Sequence, residues 1–323
     1  MARVLVTGGE GFIGRAVCYL LHQKGYEVVS LDDFSRAMPA DSTKPYLTVQ
    51  GCILDHEFVS NLFREHQFEC VVHLAGKKSV RESGVDPLSY WNTNVGGTIS
   101  LLRVMHASEV EKIVFASSCS IFGSSRFRLS EKDRLDPMSP YAQTKRAVEE
   151  TLDSLSALGS LKSVSLRFFN VIGAWGAANC GDRFDSTDNL LPLALRSALH
   201  GDGSFSIYGN RYPTDDGTCV RDYVDVVDLA EAHCASVEYL LKGGSSSSFN
   251  IGSGSGTSVL EVLRLIEAIT GKTFKITMAN PRLGDPARAV ANPERANSVL
   301  GWKAGTPIES SIRASVDWMR SSS

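Results

Sequence analysis

The residues best suited to do chemistry are Tyr141 and Lys145, four positions apart in the segment SPYAQTK that begins at Ser139. On a helix, positions i and i+4 project from the same face. A free tyrosine has a pKa near ~10, and a neighbouring ammonium or a hydroxyl donor such as Ser118 favours the phenolate and lowers that pKa. The spacing predicts a phenol that acts as a general base and acid near neutral pH. Tyr-x-x-x-Lys also occurs in many helices that have no chemical role.

The amino terminus has the pattern of a dinucleotide-binding turn. An apolar, β-branched run at residues 3–7 predicts a buried parallel strand. Gly8, Gly11 and Gly14 follow it at once, and helical apolar spacing comes next. Such glycines permit a tight turn and close approach of backbone to a pyrophosphate, and the helix amino terminus offers unpaired N–H groups to the phosphates. A glycine-rich turn in another kind of α/β protein is the alternative, but strand, glycines, helix and second strand occur here in the required order.

The acidic pair Asp32–Asp33 indicates which dinucleotide is bound. It ends the second predicted strand, and Asp32 lies eighteen residues beyond Gly14. A carboxylate there suits the adenosine ribose hydroxyls and repels a 2′-phosphate. NAD is therefore favoured over NADP, with Arg36 as the nearby residue that would suit the phosphate. A positively charged nicotinamide ring would add to the lysine and the serine hydroxyl in lowering the tyrosine pKa, since a shift of ~3 units requires ~4 kcal/mol of differential interaction.

Composition and charge exclude several classes of protein. The 323 residues suffice for one large domain and a smaller one. A net charge of −3 and a hydrophobic fraction of 43% indicate neither a nucleic-acid surface nor disorder. No apolar run approaches the length of a membrane span, and the chain enters the first strand without room for a signal peptide. We therefore expect a cytoplasmic protein with no nucleic-acid or membrane partner.

The cysteine pattern predicts reduced thiols rather than a set of disulfide bonds. Seven of them are scattered along the chain with no C-x-x-C spacing, which favours a reducing compartment and argues against a metal site. Cys119 lies beside Ser118, but the local sequence offers no partner histidine. We interpret Cys119 as a packing residue.

The order of the predicted elements indicates the fold. Strands at 113–118 and 163–169 follow the first two, and 87–105 predicts one long helix. Repeated βα units predict an α/β fold with a doubly wound parallel (Rossmann) sheet, which binds its ligand at the carboxyl ends of the strands. Gly76, Ser118 and Asn170 all fall at such ends.

A second part of the chain has looser organisation. Beyond Val171 the sequence passes into glycine- and aspartate-rich loops with shorter elements, which predicts a smaller C-terminal α/β lobe that binds substrate. We therefore assign residues 1–171 to the cofactor-binding domain and 172–323 to the substrate-binding domain. A strand near 249–252 is expected to return to the first lobe.

On these motifs the chain resembles the extended short-chain dehydrogenases/reductases, and within that family the group of UDP-glucose (UDP-galactose) 4-epimerases. The resemblance runs nearly end to end. The segments that show it are VTGGEGFIG, HLAGKKSVRES, NTNVGGT, FASSCSIFG, SPYAQTK, LRFFNVIGA, DNLLP and IYGNRYPTDDGTCVRDYVDVVDLAEAH. The last segment is long and specific to the epimerase group, whereas the shorter ones are shared across the extended family.

The resemblance implies a role for each matching residue. Tyr141 would be the catalytic base and acid, Lys145 the partner that lowers its pKa, and Ser118 a hydrogen-bond partner of the sugar 4-hydroxyl. The residues implied in binding NAD are Gly8, Gly11, Phe12, Ile13, Gly14, Asp32, Asp33, Ile53, Leu74, Ala75, Gly76, Lys78, Asn94, Ser117, Tyr141 and Lys145. The residues implied in binding the UDP-sugar are Lys78, Ser118, Tyr141, Asn170, Asn189, Leu190, Tyr208, Arg221, Arg282, Asp285 and Ala289.

Some of these residues have alternative interpretations. A diphosphate favours planar bidentate donors, which suits Arg221 and Arg282. Arg221 would equally suit an internal ion pair with Asp222 or Asp225. The alternative for the two asparagines is a turn or helix-cap role, and for Lys78 it is simple solvent exposure.

The activity implied by the resemblance is NAD-dependent epimerisation at C4 of a UDP-hexose, UDP-glucose or UDP-galactose, through a transient 4-keto sugar. Ala289 stands where glucose-selective bacterial members carry a tyrosine, so a small residue there predicts room for the N-acetyl group of UDP-GlcNAc and UDP-GalNAc. A homodimer formed through helices near the Tyr141 segment is also implied.

Other functions stay open on the sequence. A UDP-uronate 4-epimerase or decarboxylase would use the same oxidation. A 4,6-dehydratase needs an acid/base pair where this chain has Cys119 and Ser120, neither of them a carboxylic acid, which counts against it. A non-catalytic NAD- or UDP-sugar-binding regulator on the same fold is a further alternative, and retention of Ser118, Tyr141 and Lys145 together argues against it.

Overall fold

The computed structural model describes residues 2–37, 44–123, 128–182, 189–282 and 285–321. The strands are β1 (Arg3–Thr7), β2 (Glu27–Asp32), β3 (Leu47–Gln50), β4 (Cys70–His73), β5 (Lys112–Ser118), β6 (Arg128–Leu129), β7 (Lys162–Phe168), β8 (Asn170–Ile172), β9 (Ala174–Trp175), β10 (Cys180–Gly181), β11 (Ser204–Tyr208), β12 (Val220–Asp225), β13 (Ser247–Ile251), β14 (Gly256–Ser258), β15 (Lys275–Ala279) and β16 (Arg288–Ala291).

The α-helices are α1 (Phe12–Gln23), α2 (His56–Glu65), α3 (Val80–Val85), α4 (Pro87–Tyr90), α5 (Gly97–Ala107), α6 (Pro140–Ala157), α7 (Leu190–His200), α8 (Val226–Leu241), α9 (Val259–Thr270), α10 (Glu294–Leu300) and α11 (Ile308–Ser321). Short 3-10 helices span Cys119–Phe122 and Gly176–Ala178, and a π-helical segment spans Trp91–Gly96.

The main sheet has seven parallel strands in the order β13-β7-β5-β4-β1-β2-β3. Its central strands are apolar runs whose side chains are buried on both faces, as parallel sheets require. Helices α1 and α8 cover one face, and α2, α5 and α6 cover the other. The chain runs from β1 outwards to β3 and then returns to place β4 on the other side of β1. The prediction of a doubly wound parallel sheet is confirmed, and its strand order reverses between β1 and β4, where such folds bind ligands.

The far edge of this sheet is supplied by β13, from late in the chain. Residues Ser247–Ile251 pair in parallel with β7, and Phe249 and Ile251 are fully buried. Helix α8 packs on α1 and the same face of the sheet. The polypeptide therefore enters the second lobe and comes back, and the domain boundary at residue 171 stays a prediction.

The smaller lobe is built around β12. A second sheet has the order β14-β12-β16-β6, with β8 also paired to β12, and β11 pairs with β15 in a separate two-stranded ribbon. Helices α7, α9 and α11 bury a core of their own against it. Register places Arg221 beside Ala289 and Tyr223 beside Asn170. Strand β12 therefore brings several predicted substrate residues to one place.

The helix predicted over 87–105 is interrupted. It begins at Pro87, with Asp86 as its cap, and it passes through the π-helical segment Trp91–Gly96 before α5 continues it. A π-helical turn adds a residue to the helix and is frequent at functional sites. Here the widened turn contains Asn94, whose buried side chain contacts the loop after β4 and helix α6.

None of the helices in the part of the chain described above combines the length and apolar character needed to cross a membrane. All seven cysteines are free thiols. Within the same residue ranges, no group of three or more His, Cys, Asp or Glu side chains is arranged to hold a metal ion.

Candidate active site

The glycine turn lies where the strand order of the sheet reverses, next to β1. No side chain fits at its first and last glycines. Gly8 has a φ of +70°, and a Cβ on it would lie 2.7 Å from the nitrogen of Ala75. A Cβ on Gly14 would lie 2.1 Å from the Gly8 carbonyl oxygen. Helix α1 begins at Phe12, with Gly11 as a cap that has no side chain to bond the first N–H groups. Phe12 and Ile13 thus open a helix whose amino terminus suits a pyrophosphate.

Asp32 lies at the carboxyl end of β2 next to this turn. Its carboxylate accepts hydrogen bonds from the backbone N–H of Glu10 (3.0 Å) and of Phe34 (2.9 Å). Burial raises the pKa of Asp32, and the two backbone hydrogen bonds oppose the rise. Asp33 is exposed and accepts a hydrogen bond from the Ser35 N–H. Asp32 is therefore the better placed of the two to meet a ribose.

Three further predicted cofactor contacts surround this edge. Ile53 is buried and lies against Gly97, where an added Cβ would come within 2.7 Å of its side chain. The N–H groups of Leu74 and Ala75 bond to the carbonyl and hydroxyl of Thr7, which ties the end of β4 to the glycine turn. Arg36, the residue that would suit a 2′-phosphate, donates to both carboxylate oxygens of Glu82 at 2.8 Å.

The predicted reaction centre forms where β5 ends and α6 begins. Ser118 is the last residue of β5, and Tyr141 lies in the first turn of α6, which starts with Pro140 and is capped by the Ser139 hydroxyl. The Ser118 hydroxyl lies near the Tyr141 phenol and favours its ionised form, and it accepts hydrogen bonds from the N–H and the hydroxyl of Ser120. Only 8% of Ser118 and 7% of Tyr141 is exposed, so their chemistry takes place largely out of water.

Lys145 lies one turn further along α6 and is buried. Its ammonium donates to the Ala116 carbonyl at 2.7 Å and lies 5.9 Å from the centre of the Tyr141 ring. Burial lowers the pKa of Lys145 to about 8, and the charge of Glu149 opposes that shift. Tyr141 and Lys145 thus lie on one face of α6, as the i,i+4 spacing predicts, and the lysine is hydrogen-bonded to β5.

The pKa of Tyr141 differs from the expectation. Burial raises it to about 12, while the Ser118 hydroxyl acts in the lowering direction that the sequence argument assigned to it. Desolvation disfavours the phenolate more than the Ser118 hydroxyl favours it. The chain's own groups therefore keep Tyr141 protonated, and a further positive charge at the site is required to make it a base.

Ser117 is hydrogen-bonded to a different residue of α6. Its hydroxyl is fully buried and donates to Glu149, which also forms a buried ion pair with Arg167 (2.7 Å). The hydroxyl is thus engaged about two turns beyond Tyr141 on that helix. The predicted cofactor contact of Ser117 would have to use its backbone.

The loop after β4 is held by Asn94. The Asn94 amide accepts from the Lys77 N–H (2.8 Å) and donates to the Lys77 carbonyl (3.1 Å), and a Cβ on Gly76 would lie 3.0 Å from its oxygen. Lys78, predicted to serve both cofactor and sugar, is half exposed and lies 3.4 Å from Asp182. Asn94 therefore acts on the predicted site through the loop that carries Gly76 and Lys78.

Arg221 is paired inside the second lobe. Its guanidinium forms an ion pair with Asp285 at 2.6 Å and donates to the Pro286 carbonyl at 2.8 Å. The ion pair considered from the sequence, with Asp222 or Asp225, is not formed. Asp222 instead accepts hydrogen bonds from Ser253, Gly254 and Ala291, and Asp225 accepts from Val227 and Ser311. Arg221 and Asp285, both predicted substrate contacts, thus contact each other.

The other predicted UDP-sugar contacts lie around this pair. The Arg282 guanidinium stacks on the Tyr208 ring, 4.2 Å from its centre. Asn170 begins β8, and Ala289 lies beside Arg221 on β16. Asn189 is the cap residue of α7 and makes no side-chain capping bond, and Leu190 is the first residue of that helix. The structure therefore does not show the Asn189 side chain in the helix-cap role considered from the sequence.

Comparison with known proteins places this geometry in a family. Residues 4–252, more than half of the chain, match the model of the NAD dependent epimerase/dehydratase family. The chain belongs to that family. A curated UDP-glucose 4-epimerase from Rhizobium leguminosarum bv. trifolii is 39% identical over 323 residues, covering 98% of this chain and 96% of the relative.

Solved structures of family members agree. A UDP-glucose 4-epimerase from Stenotrophomonas maltophila, with bound NAD and formylated UDP-arabinopyranose, superposes with a TM-score of 0.95 at 34% identity over 100% of this chain and 99% of that chain. The enzyme from Brucella ovis in complex with NAD gives 0.93 at 35% identity over 98% of both chains. The resemblance inferred from the motifs, the Rossmann fold and the cofactor NAD are confirmed.

The residues present fit NAD as the family implies. A Cβ at position 8 or 14 would fill the glycine turn, so only glycine leaves space there. The amino terminus of α1 faces the same space, and both features suit a pyrophosphate. Asp32 places a carboxylate at the end of β2, where the ribose is predicted. The individual contacts predicted for each residue stay predictions.

Sequence reasoning missed the buried groups that support this family site. Glu149 follows Lys145 by four residues and Tyr141 by eight, so helical spacing alone would have placed it on the same face. Arg167 lies on β7, and its ion pair with Glu149 joins two elements that no local pattern connects. Removing one member of a buried pair typically costs 3–5 kcal/mol, so this pair fixes α6 on the sheet.

Proposed function

We propose that this protein is a NAD-dependent UDP-hexose 4-epimerase that interconverts UDP-glucose and UDP-galactose. The observation that carries the proposal is the buried Tyr141 phenol, with the Ser118 hydroxyl near it and Lys145 one turn behind it, at the cofactor-binding end of the sheet. The second lobe supplies Arg221, Arg282 and the Tyr208 ring, groups that suit a nucleoside diphosphate.

Bound NAD supplies the hydride acceptor for C4 of the sugar and the donor for the return step. Tyr141 takes the proton of the 4-hydroxyl as C4 is oxidised to a ketone, and Ser118 holds the 4-oxygen. The 4-keto sugar then turns about its bond to the diphosphate and presents its other face. Reduction at C4 with return of the proton by Tyr141 gives the epimer, so no net oxidation occurs. Lys145 supplies positive charge behind the phenol, and Glu149 keeps that lysine protonated against the effect of burial.

The UDP end of the proposed site is separate from the reacting carbon. Arg221 and Arg282 would bind the diphosphate, Tyr208 the uracil ring, and Asp285 the ribose, with Asn170, Asn189 and Leu190 near the sugar. Each arginine already has a partner, Asp285 for one and the Tyr208 ring for the other. Binding energy remote from C4 would let the sugar turn while UDP stays in place.

The assay that tests this proposal uses the purified protein with UDP-galactose and follows UDP-glucose by chromatography. Parallel reactions contain UDP-GalNAc and UDP-glucuronate, and absorbance in the reduced-nicotinamide band is recorded. We expect conversion of UDP-galactose to an equilibrium mixture without external cofactor turnover. Accumulation of an oxidised, dehydrated or decarboxylated sugar would assign another reaction of the family, and absence of both product and absorbance change would favour a binding protein.

The breadth of the substrate is proposed to include UDP-GlcNAc and UDP-GalNAc. Ala289 is a small, half-buried residue beside Arg221 on β16, so a 2-acetamido group would meet a methyl rather than a ring there. Replacing Ala289 with Tyr should abolish turnover of the acetamido sugars and spare the plain hexoses. Ala289→Ser is the matched control and should spare both. Equal loss of both sugar pairs in the tyrosine variant would contradict the proposal.

A homodimer is proposed through the helices beside α6. Helices α3 and α4 pack on α6 and expose Val85 (83%) and Leu88 (79%), and Trp91 at the start of the π-helical segment is 38% exposed. A second copy of the chain is the occupant we propose for this apolar surface. Light scattering should show a dimer for the wild type and a monomer for Val85→Glu/Leu88→Glu, and a monomeric wild type would refute it. The cytoplasmic location also stays a prediction.

A further inference from the structure

A buried histidine lies directly beneath the proposed cofactor site and has partners on both ring nitrogens. His73 ends β4, is 1% exposed, and pairs in register with Thr7 of β1. Its Nδ1 lies 2.7 Å from the Thr7 hydroxyl, and its Nε2 lies 2.9 Å from the Thr98 hydroxyl on α5. The ring therefore spans from the strand of the glycine turn to the helix after the π-helical segment.

Counting donors fixes the direction of every hydrogen bond. The Thr98 hydroxyl has a single hydrogen and donates it to the Asn94 carbonyl at 2.5 Å. It must therefore accept from His73, so Nε2 carries the proton. The neutral ring then accepts at Nδ1 from the Thr7 hydroxyl, and that oxygen accepts in turn from the Ala75 N–H at 3.3 Å. All four groups are satisfied in only one arrangement.

The same chain of bonds continues to the reaction centre. The Asn94 side chain donates to the Thr144 hydroxyl at 3.1 Å as well as holding Lys77. Thr144 in turn donates to the Tyr141 carbonyl at 2.7 Å. One set of directed hydrogen bonds thus connects the glycine turn, the end of β4, the π-helical segment and the first turn of α6.

We propose that His73, as the neutral Nε2–H tautomer, is a positioning residue that sets the spacing between the cofactor turn and the Tyr141 helix. It takes no part in proton transfer to the substrate. The inference rests on the proposed function for its kinetic consequences, because misplacing the phenol or the cofactor by a fraction of an ångström slows hydride and proton transfer together. A doubly protonated ring would donate to the Thr7 hydroxyl instead of accepting from it, and this would break the series of directed hydrogen bonds.

The chain itself keeps the ring neutral. Burial and the nearby positive charge of Lys145 on α6 lower the pKa of His73 to about 3. The ring is thus available as one donor and one acceptor at neutral pH.

The kinetic test uses two variants of Thr98, for which a positioning role and a packing role predict opposite orders of activity. Thr98→Val keeps the shape of the side chain and removes the hydroxyl, whereas Thr98→Ser loses a methyl group and keeps the hydroxyl. Positioning predicts that the valine variant loses ~10- to 100-fold in kcat with KM and bound NAD content unchanged. The serine variant should stay near wild type. A packing role predicts the reverse order, with the serine variant worse, and that order would overturn the proposal.

The second test needs no turnover. His233 is equally buried and its Nδ1 lies 2.9 Å from the Leu229 carbonyl, so it must be the Nδ1–H tautomer, and its Nε2 has no hydrogen-bond partner among the described residues. Nitrogen-15 NMR of the purified protein should therefore show opposite tautomers for these two histidines, assigned with His73→Gln and His233→Gln. An Nδ1–H tautomer for His73, or its titration between pH 6 and 9, would overturn the proposal even if no epimerase activity were found. Lack of wild-type activity with the expected tautomer would instead refute the proposed function alone.

Discussion

The two halves of the proposed site are built in opposite ways. At the reaction centre Ser118, Tyr141 and Lys145 are all at least nine-tenths buried, and the Lys145 ammonium donates to the Ala116 carbonyl of β5. At the UDP end Tyr208 is 43% exposed, and Arg221 bonds to a carboxylate on a neighbouring loop. One half is set by the core of the protein, whereas the other combines an exposed ring with an ion pair whose arginine and aspartate side chains are 17% and 31% exposed.

This difference follows from what each half has to do. Proton and hydride transfer need fixed distances, and a packed core provides them because its side chains have one arrangement. A nucleotide must enter and leave, so its partners have to be reachable and to exchange one charged contact for another. Burial has a cost at the reaction centre, where it moves the pKa of Tyr141 up to about 12 and that of Lys145 down to about 8.

The largest expected effect is from Tyr141→Phe. General acid–base catalysis contributes typically 10²–10⁴-fold, so we expect kcat to fall by ~10³-fold with KM for UDP-galactose within a few-fold of wild type. Tyr239→Phe, whose hydroxyl bonds to the Ser245 carbonyl on the far side of the protein, is the control and should be unchanged. Wild-type turnover in the Tyr141 variant would remove the distinction between the two halves altogether.

The cost of burial at Lys145 predicts a pH-dependent difference in stability. Its ordinary pKa is 10.5 and its folded pKa is about 8. Between these values the unfolded chain binds the proton and the folded protein does not, so this residue's contribution to the unfolding free energy rises with pH across that window and is least favourable below it. The unfolding free energy of Lys145→Met minus that of wild type should fall by ~3 kcal/mol from pH 8 to 10.5.

Both proteins in that comparison contain the same cysteines and tyrosines, so the difference isolates the lysine. Urea titrations at pH 7, 8, 9, 10 and 10.5 provide the measurement, and Lys242→Met, which removes an exposed lysine paired with Glu238, is the control. A flat difference for Lys145 would mean that the buried ammonium is better solvated than its surroundings indicate.

At the UDP end Arg221→Ala should act on binding. Hydrogen bonds to charged groups contribute ≈ 1.5–3 kcal/mol, so we expect KM for the UDP-sugar to rise ~10- to 100-fold while kcat changes little. Arg288→Ala is the matched control, because Arg288 lies on the adjoining strand and pairs with the exposed Asp215. A fall in kcat with unchanged KM would place Arg221 in the reaction centre instead.

What the sequence could predict followed local rules. The glycine turn, the acid after β2 and the i,i+4 pair on α6 depend on spacing within a few residues, and the structure has each of them in place. Ser118 could also be placed, because parallel strands end at one edge of the sheet.

What it could not predict depended on contacts between distant segments. Arg221 pairs with Asp285, 64 positions away, rather than with its neighbour Asp222, whose carboxylate is used by Ser253 and Ala291. The helix at 87–105 contains a π-helical turn that apolar periodicity does not reveal. The upward shift of the Tyr141 pKa depends on burial, which spacing cannot measure.

The smallest effect is expected at Tyr208, where the ring rather than the hydroxyl is the proposed contact. Arg282 stacks on that ring at 4.2 Å, and such contacts contribute ≈ 0.5–1 kcal/mol at exposed sites. Tyr208→Phe should therefore bind UDP as wild type does, while Tyr208→Ala should weaken binding only ~3- to 10-fold, since a stacked ring adds ≈ 0.5–1.5 kcal/mol. Calorimetric titration with UDP alone separates the two variants without turnover. A larger loss in the phenylalanine variant would show that the hydroxyl binds the nucleotide, and the UDP end would then depend on a fixed polar contact in the same way as the reaction centre.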